Sequence, residues 1–287
     1  MVLSTAVCTA TTLAIISLSI LAFQFAYRRN AVFNYYAHVA GFTLAVTLCC
    51  IVGVSVGPFM YLINRQGTVN YIVARTMSKL GPLLCGISVK VEGNDILNTT
   101  NVPAVFVANH QSSLDILSLG LIFPDKVAIM AKKSIKYVPL LGWFMAVGNN
   151  VFVDRKNRES AMETMAKVAV FLKEHQYGLW LFPEGTRSHQ TDNSLLPFKK
   201  GAFHLAVQGQ IPVVPIVFST YAPCYDPKKK LFRAGVITVK VLEPIETIGM
   251  TTADVDTLLE RTRTNMLQAL TTIKTVPAEA VKTKKRQ

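Results

Sequence analysis

Two long apolar stretches open the chain, and an alternation of short apolar runs, loops and amphipathic segments follows them. Residues 2–27 carry no charged side chain, and Arg28 and Arg29 end the run. That length suits a membrane-spanning helix, which needs roughly 20 apolar residues. A signal peptide would place its basic residues before a shorter apolar core; here the basic pair follows, so the pattern predicts an anchor. Residues 30–64 again lack Lys, Arg, Asp and Glu. Their most apolar part runs from 40 to 63, with Gly53, Gly57 and Pro58 expected to interrupt it, so that it either spans the bilayer or dips in and returns. Tyr35, Tyr36 and Tyr61 are expected at the interfaces, and His38 is read as interfacial too. Residues 1–65 are thus an anchor of two hydrophobic segments, about 2–27 and 40–63.

Residues 66–100 read as an interfacial connector. Positions 69–86 have the pattern of an amphipathic helix lying on the membrane, and Ile87 to Glu92 alternates like a strand. Residues 101–275 form the main domain. Strands are expected at 105–108, 127–131, 151–153, 179–182 and 211–218, with an edge strand at 236–242. Helices are expected at 114–121, 158–175 and 203–208, and a closing helix at 252–274. The stripe Ala161, Met165, Val168 and Leu172 has helical spacing, and Asn157 is placed to cap that helix. Alternating strands and helices predict an α/β domain with a mixed sheet flanked by helices, behind N-terminal hydrophobic helices. Residues 276–287 are a basic C-terminal tail.

Charge sharpens this picture. The formal net charge is +13, and no acidic residue precedes Glu92. Such a chain suits an anionic partner: a phosphate-bearing substrate, a membrane surface or nucleic acid. The five cysteines include no Cys-x-x-Cys pair, which argues against a zinc site. Their apolar settings fit small, reduced core residues in a cytosol-facing protein. No P-loop, Rossmann glycine pattern, His-Glu-x-x-His or RNA-binding aromatic motif is present, so nucleotide-loop, zinc-protease and nucleic-acid functions lose their usual signatures.

The polar clusters fall straight after expected strands, where α/β sheets bind ligands. The first is Asn-His-Gln-Ser-Ser-Leu-Asp at 109–115. Histidine titrates near neutrality and can accept a proton, and a carboxylate is a good acceptor for its other nitrogen. On one straight helix positions i and i+5 point about 140° apart. His110 and Asp115 therefore meet only if His110 lies in the loop and Asp115 in the first helical turn. Ser112 is a plausible N-cap, and Ser-x-x-Asp also fits a capping box, so Asp115 is either the partner of a general base or a helix cap. Ser112 and Ser113 lack the Gly-x-Ser-x-Gly context of a nucleophile. The second cluster is Glu184-Gly185-Thr186-Arg187. Gly185 permits a tight turn or a close ligand, and the Arg187 fork matches phosphate oxygens; a tight turn with surface charges is the alternative. Lys199 and Lys200 follow soon after, and Lys132 and Lys133 close the strand at 127–131.

Together these residues resemble a known family. Asn-His-x-x-x-x-Asp at 109–115, Gly148 to Arg155, Phe-Pro-Glu-Gly-Thr-Arg at 182–187 and Val-Pro-Ile at 214–216 stand in the order of the four motifs of the glycerolipid acyltransferases. The likeness is greatest to the 1-acyl-sn-glycerol-3-phosphate acyltransferases and covers roughly residues 70–245; the N-terminal part resembles fungal and other eukaryotic members. The resemblance implies that His110 takes the proton from the sn-2 hydroxyl of lysophosphatidic acid, which then attacks the thioester of acyl-CoA. It implies that Asp115 orients His110, and that Glu184, Gly185, Thr186, Arg187 and Arg155 form the site for the acceptor's phosphate. Lys132, Lys133, Lys199 and Lys200 are further candidates to touch that phosphate. Residues 213–217 would line the acyl or acceptor pocket. No cofactor, metal or covalent acyl-enzyme is implied; acyl-CoA and lysophosphatidic acid are the substrates, membrane lipid is a partner and nucleic acid is not. Asn149-Asn150 depart from the second motif, where an apolar residue is expected. Glycerol-3-phosphate or another lysophospholipid remains an alternative acceptor, and a non-catalytic lipid-binding scaffold remains an alternative role. Lys284 and Lys285 resemble an endoplasmic reticulum retrieval signal, which with the positive-inside rule places the chain in that membrane facing the cytosol, with lipid droplets as a further location.

Overall fold

Successive side chains of a strand point to opposite faces, and that alternation builds the three layers seen here. The computed structural model describes residues 12–13, 15–19, 21, 24–25, 27, 29–154, 158–278 and 280. Among them, β1 (Ile87–Glu92), β2 (Val105–Ala108), β3 (Val127–Lys132), β4 (Val151–Val153), β5 (Gly178–Leu181), β6 (Val213–Phe218) and β9 (Gly235–Val241) share one sheet in the order β1-β9-β6-β2-β5-β3-β4. Strands β6, β2, β5, β3 and β4 run parallel. β9 is antiparallel to β6 and parallel to β1, and β10 (Val276–Pro277) adds to β9. The sheet is mixed and flanked by helices, as the sequence predicts.

Phe106, Trp180, Val214, Ile216 and Phe218 face one side, where helices α2 (Thr68–Leu80) and α4 (Asp115–Ile122) bury them with Met77, Leu117 and Ile122. Trp180 is fully buried between the parallel-stacked rings of Phe106 and Phe218; truncating such a side chain costs about 3–5 kcal/mol. Val105, Val107, Leu179, Leu181 and Val217 face the other side, under α6 (Arg158–His175), α7 (Gly201–Gly209) and α8 (Val255–Thr272). The expected closing-helix positions Val255, Leu258, Met266 and Leu270 are all in that layer.

Three expectations change. β9 is an interior strand between β1 and β6 rather than an edge. β1 belongs to the main sheet, so residues 66–100 are not a separate connector and the domain starts before 101; β10 carries it past 275. Helix α2 ends at Leu80, followed by a π turn over Gly81–Cys85. It lies between the helix Ala31–Leu62 (α1) and α4 with Val69, Asn70, Ala74 and Met77 buried, so it is packed into the domain.

Helix α1 (Ala31–Leu62) is a single 32-residue helix, long and apolar enough to cross a membrane by length and composition. Gly53, Gly57 and Pro58 do not interrupt it. Gly41, Ala45, Cys49, Gly53 and Gly57 recur every fourth residue, which puts them along one helix face, and that face packs on the domain. A Cβ at Gly53 would lie 2.7 Å from Phe144 Cβ, and one at Gly57 2.5 Å from Val147 Cγ2. A Cβ at Gly41 would strike the Leu84 carbonyl. These glycines are points of close approach, while Pro58 sits on the exposed side. Leu44, Leu48, Ile51, Phe59 and Leu62 open outward from the rest of the helix. His38 is not interfacial. It is buried, its Nδ1 against Asn34 O, its Nε2 against the Tyr27 hydroxyl, and its ring on Phe232. The anchor segment 2–27, the cap at Asn157 and Lys284–Lys285 lie largely or wholly outside the described residues.

The remaining short elements are α3 (Asn94–Thr99), α5 (Leu141–Val147) and a two-stranded hairpin, β7 (Tyr225–Asp226) with β8 (Leu231–Phe232). Cys49, Cys50, Cys85 and Cys224 are buried free thiols. Burial alone pushes the Cys85 thiol up to about 11, and the same burial lifts Cys224 to about 11 against the pull of Arg233.

Candidate active site

Five parallel strands direct their carboxyl ends to one edge of the sheet, and the polar clusters collect there. β2 delivers Asn109 to Ser112, β5 delivers Phe182 to Arg187, β6 delivers Ser219 to Tyr221, and β3 delivers Lys132 and Lys133.

His110 lies in the loop and Asp115 is the first residue of α4, the placement their spacing requires. His110 Nδ1 is hydrogen-bonded to Asp115 Oδ2. A carboxylate oxygen accepts, so in a neutral ring Nδ1 carries the proton and Nε2 the lone pair. The same carboxylate accepts the backbone N–H groups of Gln111 at 3.0 Å and Ser112 at 3.3 Å. Asp115 is therefore both partner of the imidazole and clamp of its loop. The Ser112 cap does not form: Ser112 Oγ accepts from Leu114 N at 3.0 Å, and no side chain caps α4. The His110 side chain is 21 % exposed against 3 % for Asp115, so a part-exposed imidazole rests on a buried carboxylate. Below it the ring of Phe182 stacks at 4.1 Å and 15°.

Glu184 has a different position from the one expected. Its carboxylate is buried, and it accepts the His110 N–H at 2.7 Å and the Leu196 N–H at 3.1 Å. It faces the loop backbone rather than a ligand, where a second anion would repel phosphate. Burial pushes its carboxyl above the ordinary value, and the two backbone donors oppose that shift. Gly185 has a left-handed φ of 70°, which a side chain rarely adopts. A Cβ there would also meet Lys199 Nζ at 2.9 Å, so the lysine lies across the turn. Thr186 and Arg187 are exposed. Ser188 N–H and His189 N–H donate to the carbonyls of His110 and Gln111 at 2.8 and 3.1 Å, tying the two loops together.

The lysines separate. Lys199 joins the Gly185–Arg187 turn. Lys200 turns away and pairs with Asp256 of α8 at 2.6 Å, so it is not a phosphate contact. Lys132 and Lys133 sit at the same sheet edge, two strands from β2. Arg155 lies outside the described residues. Residues 213–217 are all buried in the core. Among the described residues no group of three or more His, Cys, Asp or Glu is placed to hold a metal.

Several supporting residues are visible only in three dimensions. Asn109 exchanges two hydrogen bonds with the backbone of Phe218, at 3.0 and 2.7 Å. Gln111 Nε2 donates to the carbonyls of Phe218 and Ser219, and its Oε1 accepts the Tyr221 N–H. These two amides bolt both sides of His110 to the end of β6. Tyr221 is buried beside Ser118 at 3.2 Å; burial, with the Asp115 carboxylate close by, pushes its phenol well above the ordinary value. The departure at Asn149-Asn150 is explained by Asn70. Asn150 and Asn70 exchange amide hydrogen bonds at 3.1 and 2.9 Å, and Asn150 also serves Ile129 N and Met145 O. A buried apolar residue could not satisfy those groups.

The sequence and the fold are similar to those of known proteins. The family model described as Acyltransferase matches residues 88–219. A 1-acyl-sn-glycerol-3-phosphate acyltransferase of Saccharomyces cerevisiae is 42 % identical over 246 residues, covering 86 % of this chain and 80 % of that protein. The human 1-acyl-sn-glycerol-3-phosphate acyltransferase alpha is 38 % identical over 213 residues, 74 % of each chain. The crystal structure of the 1-acyl-sn-glycerophosphate (LPA) acyltransferase PlsC from Thermotoga maritima superposes with a TM-score of 0.55 at 24 % identity, over 79 % of this chain and 95 % of that one.

Proposed function

This chain belongs to the acyltransferase family, and from that premise we propose that it acylates 1-acyl-sn-glycerol 3-phosphate to phosphatidic acid. The observation that carries the mechanism is the part-exposed His110 ring, tied at Nδ1 to a buried carboxylate.

His110 Nε2 takes the proton of the free sn-2 hydroxyl. The oxygen attacks the thioester carbonyl of acyl-CoA, the C–S bond breaks, and the proton passes to the departing sulfur as CoA leaves. Asp115 keeps the proton on Nδ1 and supports the imidazolium that forms, the role a triad carboxylate plays. General-base assistance of this kind is commonly worth about 10²–10⁴-fold in rate. Arg187 binds the acceptor's phosphate with its planar fork, helped by Lys199 across the Gly185 turn and by Thr186. Glu184 does not touch that phosphate; it holds the His110 loop. The chain's own chemistry needs neither cofactor nor metal. The apolar outer face of α1 meets membrane lipid, and the domain works at the cytosolic face of the endoplasmic reticulum and on lipid droplets.

The test is CoA release from oleoyl-CoA by membranes carrying the protein, with lysophosphatidic acid, glycerol-3-phosphate and lysophosphatidylcholine offered in parallel. Release that depends on lysophosphatidic acid and is lost in His110→Ala is expected. Release with another acceptor would change the substrate, and none at all would leave a lipid-binding scaffold.

A further inference from the structure

A second basic feature lies beside the site and has no part in the reaction. The turn of the β7–β8 hairpin carries Lys228, Lys229 and Lys230 in succession, all exposed. Three lysines in a turn are ordinarily just solvated. Two observations distinguish these.

The first is their seat. Phe232, at the hairpin's root, stacks on His38 of α1 at 5.1 Å. Lys230 Nζ lies 5.3 Å from the ring centroids of both Tyr35 and Tyr36. Around this contact α1 turns Val32, Phe33 and Tyr36 outward, at 50 %, 37 % and 53 % exposure. Ammonium groups above aromatic rings, beside an apolar helix end, are the arrangement found where a protein meets the boundary between lipid headgroups and acyl chains. The second is the scarcity of opposing charge along this part of the chain. Asp226 is the only acid between Asp192 and Glu243, and none precedes Glu92. Asp226 is itself taken up by the N–H groups of Lys228 and Lys229 at 3.0 and 3.3 Å and by the Lys229 ammonium at 3.5 Å.

We propose that the Lys228–Lys230 turn binds the headgroups of anionic phospholipids and seats this end of α1 on a negatively charged membrane surface. The proposal does not rest on the acyl-transfer reading. It does place the lipid contact next to that site. Tyr225, on the same hairpin, is pushed up by burial and by neighbouring Tyr35, against the electrostatic pull of Arg187, so one short element packs on the helix and lies within the field of that arginine. Each lysine near an anionic surface is worth roughly fivefold in partition.

The test uses the full chain in nanodiscs of phosphatidylcholine alone or with one quarter phosphatidylserine, read by amide hydrogen exchange of the peptide spanning 225–234. Exchange is expected to slow several-fold in the anionic discs and to recover at high salt. The Lys228→Gln, Lys229→Gln, Lys230→Gln triple variant is expected to lose the difference while keeping its melting temperature in neutral discs, and Lys228→Gln alone to lose part of it. Equal exchange in both discs, or a difference that survives in the triple variant, overturns the proposal. So does protection in neutral discs by added CoA, which marks a soluble-anion site, or protection that follows protein concentration, which marks a second copy of the chain.

Discussion

Glu184 and His110 stand 74 positions apart and meet through one hydrogen bond, from the His110 backbone N–H to Glu184 Oε1 at 2.7 Å. The loop that carries Arg187 thereby fixes the backbone of His110. Glu184→Gln keeps the shape but turns one acceptor towards a backbone donor as an N–H. A displacement of about 1 Å costs on the order of 10² in rate, so kcat is expected to fall by about tenfold or more while the KM for the acyl donor stays near wild type. Steady-state kinetics check this; a change confined to KM would return Glu184 to the ligand.

The same residue sets a pH dependence of stability. Burial raises the Glu184 carboxyl above its ordinary value, so the folded state binds this proton more tightly than the unfolded one. Its contribution is full below the unfolded-state pKa and is lost as pH rises through the folded one. The unfolding free energy of wild type relative to Glu184→Gln should decline upward from the ordinary carboxylate range and then level off. Chemical denaturation in a pH series measures it, and a difference that grows with pH would contradict the assignment.

His110→Ala should abolish turnover without unfolding the chain, because the ring is at the surface end of its contacts and only Phe182 and Asp115 lose a partner. A loss of at least about 10³-fold in CoA release, with the melting temperature within a few degrees of wild type, is expected. Substantial residual rate would falsify the base assignment.

Arg187→Ala should chiefly raise the KM for lysophosphatidic acid, by about tenfold or more as a charge-assisted contact is lost. Lys200→Ala should change neither constant, since its ammonium pairs with Asp256 on the far layer. Equal effects of the two substitutions would mean that the phosphate sits elsewhere.

Gly53→Val should loosen α1 from the domain. Its Cβ would lie 2.7 Å from Phe144 Cβ and 2.9 Å from Val73 Cγ2, and overpacking of this kind costs about 1–3 kcal/mol. Thermal unfolding in detergent and proteolysis near the α1–α2 turn report it. Gly249→Ala, with nothing within 4 Å of its Cβ but a φ of 79°, separates backbone strain from crowding.

The contact between His110 and Asp115 was legible in the sequence because it is local: five positions, a loop and a first helical turn leave the two one way to meet. The central strands were legible because they are short apolar runs, buried on both faces. What stayed hidden depends on pairs distant in sequence. Glu184 reads as a ligand-facing acid until the His110 N–H is found on it. Asn109 and Gln111 flank the base in plain view, yet their function is to hold Phe218 and Tyr221, more than a hundred positions on. Asn150 reads as a departure until Asn70 is set against it. Glycine misled most. Gly53 and Gly57 look like helix breakers in a string of letters, but in space they are where another surface comes close.

That seam has a consequence for where the chemistry takes place. A helix fastened along one whole face cannot pivot, slide or lean independently of the domain it carries. His110 is therefore held at one height relative to the apolar outer face of that helix, set once when the chain folds. On the proposed mechanism, an acceptor has to present its hydroxyl at that height, like a key cut to a fixed depth.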